Sequence, residues 1–238
     1  MVRFFLLLAG LFFMICCSRK SISALKRKGV AVTQSALAVE AGNSGKTVEV
    51  QYLGCGGLLI RQAGEAIMID PFFSHQRFLI IGKSIFLGGK IRSKPKQISL
   101  GRQRILDSLK LTPATIEAET KAIFVAHGHY DHLMDVPYIH RHWFSQKPDV
   151  YANTSSVTTC ANVIPANKLR DIEPLVAVRG QSGGSIDFTA ADGTTMKVYP
   201  LLAAHNQHTR KFKLFSGSVM HPLPHYTDPE DKTRIYDW

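Results

Sequence analysis

Three imidazoles and a carboxylate occur within six consecutive residues, His127-Gly128-His129-Tyr130-Asp131-His132, directly after the apolar run 122–126. In an extended segment, side chains two positions apart leave the backbone on the same side, whereas on a helix they diverge. His127 and His129 can therefore aim at one cation, with Gly128 letting the backbone turn between them. Asp131 and His132, on the turn that follows, can serve an adjacent cation. Imidazole and carboxylate suit zinc first, with manganese or iron also compatible. The chain holds 10 histidines, so some clustering is expected, and His140 and His142 read as surface residues of a helix. A run this dense at the end of a buried strand does not read as packing; it reads as a metal-binding site.

The elements that must position this run follow from periodicity. Val48, Val50 and Tyr52 alternate with Glu49 and Gln51, a strand pattern. The runs 58–60 and 66–69 form a hairpin across Gly64-Glu65, which Asp70-Pro71 ends because proline cannot donate to a sheet ladder. Residues 114–120 read as helix, 122–126 as strand, 133–144 as helix, 150–152 as strand and 155–164 as helix. Segments 185–190 and 194–202 form a hairpin around Asp192-Gly193, a favoured turn pair. Strands alternating with helices predict an α/β fold. The stretch 72–98 interleaves aromatic and aliphatic residues with Arg77, Lys83, Lys90, Arg92, Lys94 and Lys96 and has no acidic residue. It is expected to form a mobile flap that touches an anionic, lipid-like substrate or a membrane surface.

With 238 residues, 45% hydrophobic and 20% charged, the chain is long enough for one domain with a sizeable core. Its 29 Lys and Arg against 18 Asp and Glu leave a formal charge of +11, which favours anionic partners. The N-terminus narrows that choice. Arg3 precedes an apolar run at 4–15, too short to span a bilayer but of the length and flank of a secretory signal. Export makes nucleic acid the wrong partner. The segment 1–23 is thus expected to be a signal, 24–46 a polar tether and 47–238 the domain. Cys16 and Cys17 end the apolar run as the acylated cysteine of a bacterial lipoprotein would, but Ile15 stands where a small residue is usual. Lipidation, ordinary cleavage and a retained anchor all stay open, giving a periplasmic or membrane-anchored protein. Cys55 and Cys160 read as small buried side chains, with a disulfide between them as the alternative.

The run at 127–132 resembles the signature of the metallo-β-lactamase superfamily of metal-dependent hydrolases. Tyr52-Leu53-Gly54, Leu58-Leu59-Ile60 and Ile69-Asp70-Pro71-Phe72-Phe73-Ser74 look like the opening of its phospholipase D-like and lactonase-like branch. The resemblance implies the first half of an αβ/βα sandwich and a substrate that is an ester, lactone or phosphodiester. It further implies that His127, His129 and His205 hold one metal, with His208 the competing candidate for the third place. Asp131 and His132 would contribute to a second metal, with Asp131 also beside the attacking water as the catalytic residue. Asp70 would orient a ligand histidine, unless it is only a turn residue before Pro71.

There are two departures from the branch. It usually has a histidine where Cys55 stands. The resemblance also covers only residues 47–208, so the chain reads as truncated, with one face of its sheet expected to lack a cover. His221, His225 and Asp228 in the tail are weak replacement ligands. A different class of function, a membrane-tethered, non-catalytic metal or lipid binder, is the alternative. The substrate, the metal and the oligomeric state are not legible.

Overall fold

A computed structural model describes residues 37–40 (backbone only), 47–178, 182–202, 218–234 and 237–238. The apolar run at 4–15, Cys16 and Cys17 lie outside the described residues. Among those described, no helix is long and apolar enough to cross a membrane.

A mixed sheet of seven strands runs in the order β1-β2-β3-β4-β6-β7-β8. Its strands are β1 (Leu37–Glu40), β2 (Thr47–Gly54), β3 (Gly57–Gln62), β4 (Glu65–Ile69), β6 (Thr120–Phe124), β7 (Asp149–Ala152) and β8 (Leu169–Asp171). The first four pair antiparallel and the last four, from β4 onward, pair parallel. The α/β class follows from this sheet and the helices that connect its parallel strands. The segment assigned by sequence to the tether contributes β1, which lies along β2 with Leu37 opposite Val50.

Helices make the parallel crossovers and cover one face. Between β4 and β6 the chain forms α1 (Phe78–Leu87), α2 (Pro95–Leu109) and α3 (Pro113–Glu119), with the short β5 (Lys90–Ile91) after α1. Between β6 and β7 it forms α4 (Tyr130–Leu133) and α5 (Val136–His142), and between β7 and β8, α6 (Thr154–Cys160). Local chemistry sets the ends. Pro95 and Pro113 occupy first turns, where a missing N–H costs nothing. The Asn153 side chain caps α6 by accepting from the Ser156 N–H at 3.0 Å. Leu59, Met68, Ile123 and Val150 point from the sheet into a core shared with Ile98, Ile105, Ile116 and Ile139 of the helices.

The opposite face is not bare, contrary to the expectation of an uncovered sheet. The hairpin β9 (Ile186–Thr189) and β10 (Thr195–Val198) packs Ile186, Phe188, Met196 and Val198 against Ile67, Ala122 and Phe124. Both strands are shorter than their apolar runs predict.

Three further expectations are corrected. Residues 72–98 are ordered: Phe72 and Phe73 are buried, α1 and the start of α2 fall within the stretch, and β5 pairs with β11 (Thr233–Arg234) of the tail. The helix expected at 133–144 is interrupted into two, because Pro137 has no N–H to carry the ladder on from Leu133 and sits instead in the first turn of α5. His140 is buried rather than on the surface. Its Nε2–H donates to the Pro148 carbonyl at 3.1 Å, and burial pushes its pKa down to about 4.

That shift sets a pH dependence. The folded state keeps His140 neutral, while the unfolded chain takes up a proton near the ordinary value of about 6.5. Its stabilising contribution is therefore complete above that pH and is lost as pH falls toward 4. The slope difference between wild type and His140→Gln should approach about 1.4 kcal/mol per pH unit in that window. Urea unfolding of both proteins at pH 7, 6, 5 and 4 measures it; parallel curves would show that His140 carries no such linkage.

Candidate metal centre

The cluster forms where β6 ends. Parallel strands expose their carboxyl ends together, and residues leaving β4 and β6 meet there. The Asp70 N–H donates to Phe124 O at 2.9 Å, and the Ala126 N–H donates to Asp70 Oδ1 at 2.8 Å. These bonds tie the two strand ends across a gap that β pairing alone would leave open. Asp70 takes φ +43, a left-handed conformation uncommon outside glycine and better tolerated by Asp than by most residues. Pro71 follows and prevents the strand from continuing.

His127 and His129 emerge from this edge as the two-residue spacing requires. His127 Nε2 and His129 Nδ1 lie 3.0 Å apart, and the ring centroids of His127 and His132 lie 4.1 Å apart. His129 stands at the N-terminal boundary of α4, where its carbonyl accepts from His132 N and Leu133 N at 3.0 and 2.9 Å. That single turn swings His132 back over the cluster. Its Nδ1 lies 2.8 Å from Asp70 Oδ2, while its Nε2 stays 4.0 Å from Asp131 Oδ2. Burial lowers the His132 pKa, but the hydrogen bond and charge of Asp70, with the charge of Asp131, outweigh it and leave the pKa raised. Gly128 does not use a positive φ. What it supplies is room, since a Cβ there would stand 3.3 Å from Ser156 Oγ.

His127, His129, Asp131, His132 and Asp70 thus come together, and all except Asp70 are partly exposed. His205 and His208 lie outside the described residues. The tail candidates are engaged elsewhere: His225 Nε2 lies 3.1 Å from Asp237 Oδ2, Asp228 pairs with Arg141, and His221 is exposed. Cys55 and Cys160 are both free; Cys160 is buried as expected, but Cys55 is exposed on the β2–β3 turn with φ +50.

Sequence reasoning gives no role to three neighbours, Tyr130, His75 and Asp135, and reads a fourth, Cys55, as a small buried side chain. Tyr130 has its pKa raised by burial and then by the charges of Asp131 and Cys55, so its hydroxyl keeps its proton. The Cys55 thiol, though exposed on its turn, is crowded enough by protein to be pushed up by partial desolvation and then by the charges of Asp131 and Asp135. His75 lies with its ring 5.5 Å from that of Phe72, and a Cβ on Gly54 would come within 3.7 Å of it. Asp135 is fully buried, and its Oδ2 accepts from the Phe73 and Ser74 N–H groups at 2.7 Å each. The available signals were a histidine just past Asp70-Pro71 and a second aspartate four residues after Asp131.

The donor set has the chemistry of a metal site. Two imidazole nitrogens already converge, and a third imidazole presents Nε2 beside a carboxylate, a set that suits zinc, manganese or iron. Among the described residues, no group of three or more His, Cys, Asp or Glu closes around a single point. The described part is an open arrangement of suitable donors.

No family model matches the chain, and no curated protein matches it. Among solved structures it is similar to the apo state of chemotaxis sensor ODP from T. denticola, at 13% identity and a TM-score of 0.38. The similarity covers 73% of this chain and 55% of that one, so the chain spans about half the length of its neighbour. A likeness this loose says nothing about function.

Proposed function

We propose that this chain is a metal-dependent hydrolase of an ester, lactone or phosphodiester, with a site of the metallo-β-lactamase type. The observation that carries the reading is the convergence of His127 and His129 at the end of β6, with His132 held beside them by Asp70. His127 and His129, with His205, would hold one ion; Asp131 and His132 would serve a second. Such an ion supplies Lewis-acid polarisation of the scissile group and a nucleophile at neutral pH. The residues do the rest. Asp70 accepts the Nδ1–H of His132, which leaves Nε2 with its lone pair facing the cluster. Asp131, partly exposed on the same rim, can take a proton from the attacking water. Tyr130 stays protonated and can donate to an oxygen that gains charge. The chain's positive charge supports a small or lipid-like anionic substrate, and the apolar run at 4–15 supports export.

Metal analysis of the purified protein should find zinc, manganese or iron, and His127→Ala should lose most of it. Unchanged metal content in that variant would overturn the assignment. Asp70→Asn gives a finer test. Its amide N–H faces His132 Nδ1 and moves the ring proton to Nε2, so metal affinity should fall about 10- to 100-fold with the circular dichroism spectrum unchanged.

A further inference from the structure

Most surface helices bury an apolar stripe and show water a polar one. Helix α1 buries one side and leaves the other apolar as well. Ser84 is buried, and Ile81 and Ile85 pack against the core. On the opposite side Leu79, Ile80, Phe86 and Leu87 are exposed by 73, 38, 59 and 75%. Leu79 and Phe86 are seven residues apart, and so are Ile80 and Leu87, so each pair stacks along one line of the helix. Lys83 lies between the two lines.

A solvated face of this kind disfavours the folded chain in water, so a cover is expected. Its charge identifies that cover. Arg77, Lys83, Lys90 and Arg92 are exposed around the helix, and no acidic residue occurs between Pro71 and Leu106. A second copy of the chain would bring the same cations against them with no carboxylate to pair. A layer that is apolar inside and anionic at its surface satisfies both features at once.

We infer that α1 is a docking helix for anionic phospholipid bilayers, lying in the interface with Leu79, Ile80, Phe86 and Leu87 toward the acyl chains, Lys83 extending from between them to the phosphates, and Arg77, Lys90 and Arg92 at the phosphates around it. It spans about 15 Å, enough for a shallow and reversible contact rather than an anchor. The inference is independent of the metal reading, because it uses no residue of the histidine cluster and its test needs no metal.

The test places a reporter on the helix itself, so that the apolar run at 4–15 of the full chain cannot mimic the result. Phe86→Trp adds an exposed indole to a protein whose Trp143 and Trp238 are both buried. With vesicles containing phosphatidylglycerol at low salt, the added emission should shift to the blue and be quenched by brominated acyl chains. Pure phosphatidylcholine vesicles should give a much weaker change. In that background each of Lys83→Gln, Lys90→Gln and Arg92→Gln should lower the partition coefficient about fivefold, and added salt should do the same. Unchanged emission with anionic vesicles at low salt would overturn the inference. So would a shift that is equal on both lipids and indifferent to the substitutions. A blue-shifted emission without lipid that moves to the red on dilution would assign the face to a second copy instead.

Discussion

Asp135→Ala should destabilise the protein by about 2–5 kcal/mol, while Asp135→Asn should stay within about 1 kcal/mol of wild type. The side chain is wholly buried, and one oxygen takes both the Phe73 and Ser74 N–H groups. Burial raises its pKa, and the hydrogen bonds from Ser74 and Phe73 oppose that rise without cancelling it. Alanine leaves two buried donors unmatched, each costing about 1–3 kcal/mol, and only partly recovers the cost of burying a charge. Asparagine keeps an acceptor oxygen in place and removes the charge. Its amide falls where the second carboxylate oxygen has no partner among the described residues. Urea unfolding of the three proteins at pH 7 measures the difference. If alanine and asparagine cost the same, Asp135 is not the anchor of the 70–75 turn.

Gly57→Ala should be as damaging, and its effect should reach the histidine cluster. A Cβ at Gly57 would stand 2.5 Å from Asp70 O and 2.9 Å from Gly54 O, both backbone atoms that cannot rotate away. Overpacking a core costs about 1–3 kcal/mol, and this site has less freedom to relax than most. The group displaced is the backbone of the residue that holds His132, so the fold and the site should suffer together. The expected result is a lower urea midpoint and a changed His132 imidazole signal by NMR. Gly82→Ala is the control. It lies in α1, where an added methyl would meet nothing within 4 Å, and should gain up to about 1 kcal/mol from helix propensity. Equal effects at the two glycines would show that the collision at Gly57 is relieved without cost.

Local pattern was enough for much of this molecule. Alternation along 47–52, the runs at 58–60 and 66–69, and the apolar run before His127 place four adjacent strands, because alternation marks a strand with one face on a core and a short unbroken apolar run marks one buried on both faces. The dipeptide Asp192-Gly193 marks its hairpin for an equally local reason, a turn that few other residues adopt. The spacing of His127 and His129 already states that their rings share a side.

What escaped has no local signature. α1 is apolar on nearly every side, so no period distinguishes it from a loop or a strand, and α2 sets the core-facing Ile98, Ile105, Leu106 and Leu109 inside a basic, polar segment. The buried role of Asp135 depends on where its side chain points, which depends on a turn about sixty residues earlier. His140 looks like a surface histidine until Pro148 supplies its acceptor. The pairing of Asp70 with a histidine is implied by the family resemblance but by no local pattern, since it spans 62 positions. Residue types alone make each a candidate; only the parallel register of β4 and β6, with Ile69 opposite Phe124, sets one beside the other. That register is a property of the whole sheet, held by the helices packed beneath it, and no window of sequence contains it.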